Sequence, residues 1–209
     1  MIQENESPER LRPPERERLR LDCPVLLTER LVLRSPHVED IDTISLLANN
    51  QAIASMVSRM PHPYTRADAV DFVRKSATRA NGNCVYAMTT ATDGKFIGCC
   101  ALRSTADPDG LEIGYWVGLP YWGNGYGTEA VHALVDTGFK TTDVNHIDAS
   151  CRVTNTASRR VLQKSGFQFQ GTDMHHVMAL NASVSVERFR LDRKTWMSLI
   201  TWRSKTAHP

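Results

Sequence analysis

The sequence has no long hydrophobic stretch and very little excess charge. Its 209 residues contain no apolar run near the roughly 20 residues of a membrane-spanning helix, and the N-terminal segment MIQENESPERLRPPERERLRLD has no apolar core like that of a secretory signal. Lys plus Arg number 25 and Asp plus Glu 23, which leaves a formal net charge of +2. This balance does not indicate a nucleic-acid partner. We therefore expect no nucleic-acid and no membrane partner, and any phosphate binding must come from a local site.

Cysteines are few and irregularly spaced. The five cysteines are odd in number and form neither a C-x-x-C pair nor the spacing of a disulfide framework. This pattern favours a reducing compartment, so we expect a cytoplasmic protein. No His or Cys spacing indicates a metal site. Cys99, Cys100 and Cys151 fall in predicted strands, where we expect them to be small buried hydrophobic residues.

The composition changes after the first two dozen residues. Residues 1–24 are rich in Arg, acidic residues and Pro but poor in aliphatic side chains, so they cannot bury enough apolar area to offset the entropic cost of ordering. Over the whole chain 41% of residues are hydrophobic, which is enough for a substantial core. We predict a disordered arm over residues 1–24 and one domain over residues 25–205.

The hydrophobic pattern of that domain mixes strands and helices. Period-two and apolar runs predict strands over residues 25–35, 83–91, 95–104, 111–118, 145–153 and 167–180. Helical spacing predicts helices over residues 38–50, 65–77, 128–140 and 156–166. Residues 185–201 read as a strand that runs into a terminal helix, with LNASVS before them as a mobile loop. Antiparallel strands that precede a βαβ unit indicate a mixed α+β sheet.

Residues 121–130, YWGNGYGTEA, place glycine at alternate positions between a predicted strand and a predicted helix. Such a loop presents several backbone N–H groups at the positive end of a helix, where phosphate oxygens bind. An unliganded flexible turn is the alternative for so short a pattern. The P-loop signature is absent, and the dinucleotide fingerprint would need glycine where Thr128 stands, together with a parallel first strand.

A second segment about thirty residues further on decides between these alternatives. NTASRRVLQKSGF has the form Asn-x-x-Ser-x-x-Val-Leu-x-Lys-x-Gly-Phe and follows a predicted strand. Together with LEIGYWVGLPYWGNGYGTEA it resembles the GNAT superfamily of acetyl-CoA-dependent N-acetyltransferases, within it the RimJ/RimL-like branch of ribosomal-protein N-terminal acetyltransferases. The resemblance extends from TERLVLR to VERFRLDRKTW, about residues 26–200. It implies a mixed, mostly antiparallel twisted sheet of about six to seven strands flanked by helices.

The resemblance also implies acetyl-CoA as cosubstrate. The family's phosphate loop, Arg/Gln-x-x-Gly-x-Gly/Ala, falls on residues 122–127, where Trp122 replaces the usual Arg or Gln, so we expect binding by backbone N–H groups rather than by the side chain at 122. Family precedent pairs the backbone of residues 115–117 with the acetyl carbonyl and the pantetheine amides. The implied cofactor-binding residues are Tyr115, Trp116, Val117, Trp122, Gly123, Asn124, Gly125, Tyr126, Gly127, Thr128, Asn155 and Ser158.

Acetyl transfer from a thioester requires a neutral amine, stabilisation of an oxyanion and a proton for the thiolate. Glu112 in LEIGYW is the predicted base, acting through water, with an outward-facing Glu as the alternative. Ser158 is by family analogy the proton donor to the thiolate, and a helix-capping Ser is its alternative. His175 and His176 follow a strand that would border the acceptor pocket, so we predict acceptor binding and a weaker base candidacy; an outward-facing surface pair is the alternative.

These features predict an N-acetyltransferase that transfers an acetyl group from acetyl-CoA directly to a primary amine in a ternary complex. The acceptor is a protein N-terminus or a small-molecule amine, since a fold does not determine its acceptor. We expect a monomer or a homodimer without a metal. The alternative is a non-catalytic acyl-CoA-binding or sensing module.

Overall fold

The computed structural model describes residues 21, 23–78 and 83–206, which build one mixed sheet with helices on both faces. The strands are β1 Leu26–Leu27, β2 Leu31–Arg34, β3 Cys84–Thr90, β4 Phe96–Ser104, β5 Gly110–Val117, β6 His146–Arg152, β7 Gln168–Val177 and β8 Ala182–Asp192. The helices are α1 Ile41–Ala48, α2 Gln51–Ala54, α3 Arg66–Ala77, α4 Tyr126–Thr141, α5 Thr156–Lys164 and α6 Arg193–Thr206.

The sheet order is β1-β2-β3-β4-β5-β6-β8-β7. Only β5 and β6 are parallel among these neighbours, because α4 carries the chain back across one face between them. The prediction of a mixed, mostly antiparallel sheet flanked by helices is confirmed. The described residues form eight strands rather than six or seven, because the segment predicted as a single first strand is a hairpin: Leu26 lies opposite Leu33, and the chain turns at Thr28 to Arg30.

Two hydrophobic clusters fill the two faces of the sheet. One lies under α4 and α5, and the other lies under α1, α2 and α3. Helix α4 buries the stripe that the sequence predicted, including Leu134 and Phe139, each of which contributes roughly 1.5–3 kcal/mol by its removal from water. Gly138 allows α4 to approach closely, since a Cβ there would lie 2.9 Å from Ile147 Cδ1.

The second half of the domain differs from the sequence prediction at one hairpin. The segment predicted as a strand over residues 167–180 ends in a 3₁₀ turn, Met178–Leu180. The predicted mobile loop, residues 180–185, turns at Asn181, which is in the left-handed conformation at φ 46°. Strand β8 therefore begins at Ala182, earlier than predicted, and pairs with β7 along its length. Asn is one of the few residues other than Gly that adopt this conformation readily, which explains the tight reversal.

Cys23 and Cys84 form a disulfide, which the cysteine spacing did not predict. The two residues are 61 positions apart, so no local spacing could reveal a pair that the packing of the chain beside β3 creates. The cysteine pattern therefore does not support a reducing compartment, and the cytoplasmic location stays a prediction. Cys99, Cys100 and Cys151 are free and buried, as expected.

The predicted disordered arm lies mostly outside the described residues, which exclude residues 1–20 and 22, so it stays a prediction. Leu21 is buried in the cluster under α4, and Cys23 is disulfide-bonded. Both therefore belong to the packed part of the chain.

Among the described helices, none has the length and hydrophobicity needed to cross a membrane.

Candidate active site

Strands β5 and β6 separate after three paired positions. The pairs are Gly110 with His146, Leu111 with Ile147 and Glu112 with Asp148. Strand β5 nevertheless continues to Val117 and β6 to Arg152, each still paired with its other neighbour. We call the gap that opens beyond Glu112 and Asp148 the fork.

The edge of β5 that faces the fork has backbone groups available for a ligand. The N–H of Gly118 donates to the carbonyl of Ile97 on the β4 side at 2.8 Å. Because backbone groups alternate between the two edges of a strand, the N–H groups of Tyr115 and Val117 point towards the fork. The Val117 carbonyl accepts a 2.6 Å hydrogen bond from Nε1 of Trp122. An extended ligand can therefore pair with this edge as a further strand would.

The glycine loop, residues 122–128, leads from this edge into α4. Gly123 and Gly125 have φ of 80° and 81°, a conformation in which a side chain is strained. In the described structure the backbone N–H groups of residues 123–128 have no acceptor, and the first helical bond is that of Glu129 N–H to the Gly125 carbonyl at 3.1 Å. These free donors lie at the positive end of a 16-residue helix, an arrangement that favours the binding of an anion.

The hairpin of β1 and β2 fixes the glycine loop. Arg30 donates from Nη1 to the Asn124 carbonyl at 2.9 Å, and it forms an ion pair with Glu129 at 2.7 Å. Burial alone would raise the pKa of Glu129, but hydrogen bonds from Thr28 and from Arg30 outweigh burial and lower it. Asn124 was a predicted cofactor-binding residue, but the sequence assigned no role to Thr28, Arg30 or Glu129, because only the fold brings the first hairpin and the glycine loop together.

Gly127 brings α4 against the fork. A Cβ at this position would lie 3.4 Å from the ring of Tyr115 and 3.8 Å from Val161. The absence of a side chain therefore lets the first turn of α4 pack on β5 and α5 while its amides stay open.

Ser158 and Tyr115 meet across the fork on the face of the sheet that α4 and α5 cover, which we call the helix face. Their hydroxyl oxygens are 2.9 Å apart. The Asn155 side chain caps α5 by accepting the N–H of Ser158 at 3.0 Å, so Ser158 is not the capping residue. Burial raises the pKa of Tyr115 to about 12, although the Ser158 hydrogen bond opposes it. Both hydroxyls are protonated at neutral pH, and sequence reasoning did not find the Tyr115 hydroxyl because its partner lies 43 residues away.

A cavity of about 360 Å³ lies on the opposite face of the sheet. This is the face on which α1, α2 and α3 pack, and because strand residues line the cavity we call it the strand face. Its lining residues are Thr105, Glu112, Asp148, Ala149, Ser150, Gln170, His175, Arg188, Phe189 and Arg190. The structure thus brings together Glu112 and His175, both predicted site residues. It does not bring His176 there: that side chain is exposed outside the cavity, because neighbouring residues of β7 point to opposite faces.

Charged side chains beside Glu112 were missed from the sequence. Asp148 accepts two hydrogen bonds from Arg190, at 2.8 and 2.9 Å. Arg103 is the cross-strand partner of Glu112, and burial lowers the pKa of its guanidinium while the negative charge of Glu112 opposes that effect. Their positions depend on strand register, which no local motif encodes.

Among the described residues no group of three or more His, Cys, Asp or Glu side chains is arranged to hold a metal ion.

Comparison with known proteins adds a family to this geometry. Residues 30–168 match the acetyltransferase (GNAT) domain family. The chain is also 28% identical over 174 residues to the uncharacterized N-acetyltransferase p20 of Bacillus licheniformis, a match that covers 82% of this chain and 97% of that protein.

Solved structures share the fold. A GNAT-family acetyltransferase from Bacillus anthracis superposes with a TM-score of 0.71 at 21% identity, covering 81% of this chain and 99% of that one. The ribosomal L7/L12 alpha-N-protein acetyltransferase RimL, solved in complex with coenzyme A, superposes with a TM-score of 0.70 at 16% identity, covering 80% and 97%.

Proposed function

We propose a reaction for this chain, which belongs to the GNAT family of acetyltransferases. It transfers the acetyl group of acetyl-CoA directly to a primary amine. The observation that carries this proposal is the fork. It opens at Glu112, with free backbone donors on the helix face and a cavity on the strand face. The two substrates would therefore meet between β5 and β6 from opposite faces of one sheet.

Acetyl-CoA would enter from the helix face. The N–H groups of residues 123–128 would bind the pyrophosphate, and the fork edge of β5 would pair with the pantetheine arm. The Asn155 amide nitrogen would donate to that arm, since its oxygen already caps α5. The N–H of Tyr115 would lie where the thioester oxygen develops negative charge. RimL, which shares the fold, was solved with coenzyme A, and this supports the assignment.

The amine would approach from the cavity. Glu112, at the closed end of the fork, would take the amine proton directly or through water, and His175 is the second candidate on the same wall. The amine nitrogen bonds to the acetyl carbon, the carbon–sulfur bond breaks, and the departing thiolate takes a proton. Ser158 would supply that proton, and its hydroxyl contact with Tyr115 at 2.9 Å supports this role. The reaction would use a ternary complex, since this sequence of steps needs no covalent enzyme intermediate.

The acceptor is a protein N-terminus or a small-molecule amine. The fold shared with RimL, an enzyme named for a protein N-terminus, supports the first class, and the size of the cavity, about 360 Å³, supports the second.

Mass spectrometry of acetyl-CoA reactions with libraries of peptides and small amines tests the proposal. We expect acetylated products that form only in the presence of acetyl-CoA. The Glu112→Gln protein should produce them much more slowly. Tight binding of acetyl-CoA without any acetylated product would contradict the proposal and favour a non-catalytic acyl-CoA-binding module.

A further inference from the structure

Arginines in this chain differ in whether they have a carboxylate partner. Those in ion pairs are Arg30, Arg34, Arg66, Arg74, Arg159 and Arg190. Arg103, Arg152 and Arg188 have no carboxylate within ion-pair distance among the described residues, and all three lie on the strand face that carries Glu112. Among the described residues of this face, Glu112, the cross-strand partner of Arg103, balances part of this positive charge, and the three arginines outnumber it.

Arg103 places its charge at the fork itself. Its guanidinium lies over Gly114, where an added Cβ would be 2.7 Å from Nη1. Gly114 is two residues beyond Glu112, so the group lies beside the open part of the fork. Burial lowers the pKa of Arg103, Glu112 opposes that shift, and Arg59 adds to the lowering. Arg103 is half-buried and makes no hydrogen bond to the described residues, so its guanidinium N–H groups are available to a bound anion.

Arg188 and Arg152 flank the fork on the other side. Arg188 lines the cavity and lies opposite Ser150 in the pairing of β6 with β8, so it is near the fork from the β6 side. Arg152 donates from Nη1 to the Ser55 carbonyl at 2.8 Å, while its buried Nε has no partner. Against these cations, the cavity wall has Glu112 and an Asp148 already paired with Arg190.

We infer that the acceptor is a primary amine that carries an anionic group, a carboxylate or a phosphate, bound by Arg103 and Arg188 while its amine faces Glu112. This inference rests on the proposed function and narrows its substrate class. Guanidinium groups bind carboxylates and phosphates through two parallel hydrogen bonds, which suits both kinds of anion. The same charges repel polyamines, whose second ammonium would have to approach Arg103 or Arg188.

Matched acceptors test the inference on the full-length protein with saturating acetyl-CoA. Free amino acids are compared with their amides, phosphoethanolamine with ethanolamine, and peptides with Asp at the second position with their Asn counterparts. We expect kcat/KM to favour the anionic member by roughly 10- to 100-fold, as expected for charge-assisted hydrogen bonds in a partly desolvated site. Which of the three pairs shows the preference identifies the source of the anion. Spermidine should be the poorest acceptor.

Variants connect that preference to the arginines. Arg188→Gln, at an exposed position that should not affect folding, is expected to reduce the anionic preference at least about fivefold while acetyl-CoA affinity stays unchanged. Arg103→Gln should do the same, and Arg188→Lys should restore part of the preference. Arg66→Gln, an exposed arginine on α3, is the matched control and should leave the ratio unchanged.

Equal kcat/KM for neutral and anionic members, or a preference that survives in the Arg188→Gln protein, would overturn the inference and leave the proposed function intact. Absence of turnover with every amine would instead remove the proposed function, and this inference with it.

Discussion

The two faces of the fork present different groups to a ligand. The helix face offers backbone N–H groups from the glycine loop and from β5, together with the hydroxyls of Tyr115 and Ser158. The strand face offers charged side chains, with Glu112 among unpaired arginines. Backbone N–H groups are present whatever the side chains are, so they suit a ligand that is the same in every family member. Side chains can be replaced without disturbing the fold, so they suit a ligand that differs between members. The difference explains how one scaffold can keep its acetyl donor while its acceptor varies.

Removal of the carboxylate at the closed end of the fork should have the largest effect. Glu112→Gln keeps the shape of the side chain but cannot accept the amine proton, so we expect kcat/KM to fall by roughly 10²- to 10⁴-fold with acetyl-CoA affinity unchanged. Steady-state kinetics across pH measures both the loss and the disappearance of the acidic limb. The exposed Glu39→Gln protein is the control.

The two neighbouring histidines form a matched pair for the same comparison. If His175 is the base, His175→Ala should lose activity while Glu112→Gln retains it. His176→Ala should behave like the wild type in either case, since its side chain is exposed outside the cavity.

A side chain that blocks the helix face should chiefly weaken the binding of acetyl-CoA. Gly127→Val adds a side chain whose Cβ alone would lie 3.4 Å from the ring of Tyr115, and the side chain would cover the amides of the glycine loop. We expect acetyl-CoA affinity measured by calorimetry to fall at least about tenfold in a protein that still melts cooperatively. Gly94→Ala, at a remote turn glycine whose φ of 67° strains any side chain, controls for the cost of a glycine replacement away from the glycine loop. Unchanged affinity in a folded Gly127→Val protein would contradict the assigned site.

Loss of the hydroxyl pair should have a smaller effect, because water can protonate the thiolate. Ser158→Ala should lower kcat by about tenfold without changing acetyl-CoA affinity, as expected when a general acid is replaced by solvent. Tyr115→Phe removes the other hydroxyl and should cost less if Ser158 donates directly. An opposite ranking would make Tyr115 the donor.

The smallest effect concerns the anchor of the glycine loop. The folded pKa of Glu129 lies below its usual 4.5, so the stabilisation is fully present above that pH and is lost as pH falls through the folded value. Glu129→Gln should therefore reduce the free energy of unfolding by about 1–2 kcal/mol at pH 7, and the difference should shrink below about pH 4.5. Urea titration at several pH values measures it. A difference that stays constant as the pH is lowered from 7 until the protein unfolds would refute the electrostatic explanation.

The helix face could be predicted from the sequence far better than the strand face. The glycine loop, the capping Asn155 and Ser158 lie in short segments whose spacing is local, so their motifs were sufficient. The hydroxyl pair of Tyr115 with Ser158, and the positions of Arg103 and Arg188, depend on strands that meet only after folding. The disulfide was missed because its two cysteines lie 61 residues apart. The first hairpin was missed because a short turn inside an alternating run does not break the pattern.

Hydrogen–deuterium exchange on addition of acetyl-CoA tests most directly whether acetyl-CoA binds on the helix face of the fork and the acceptor amine on the strand face. The free amides of residues 123–128 and the fork-facing amides of Tyr115 and Val117 should become protected, while the peptides of β7 and β8 that border the cavity keep their exchange rates. An acceptor amine added afterwards should change only the cavity peptides. Protection of β7 and β8 by acetyl-CoA, with no change at residues 123–128, would contradict the account.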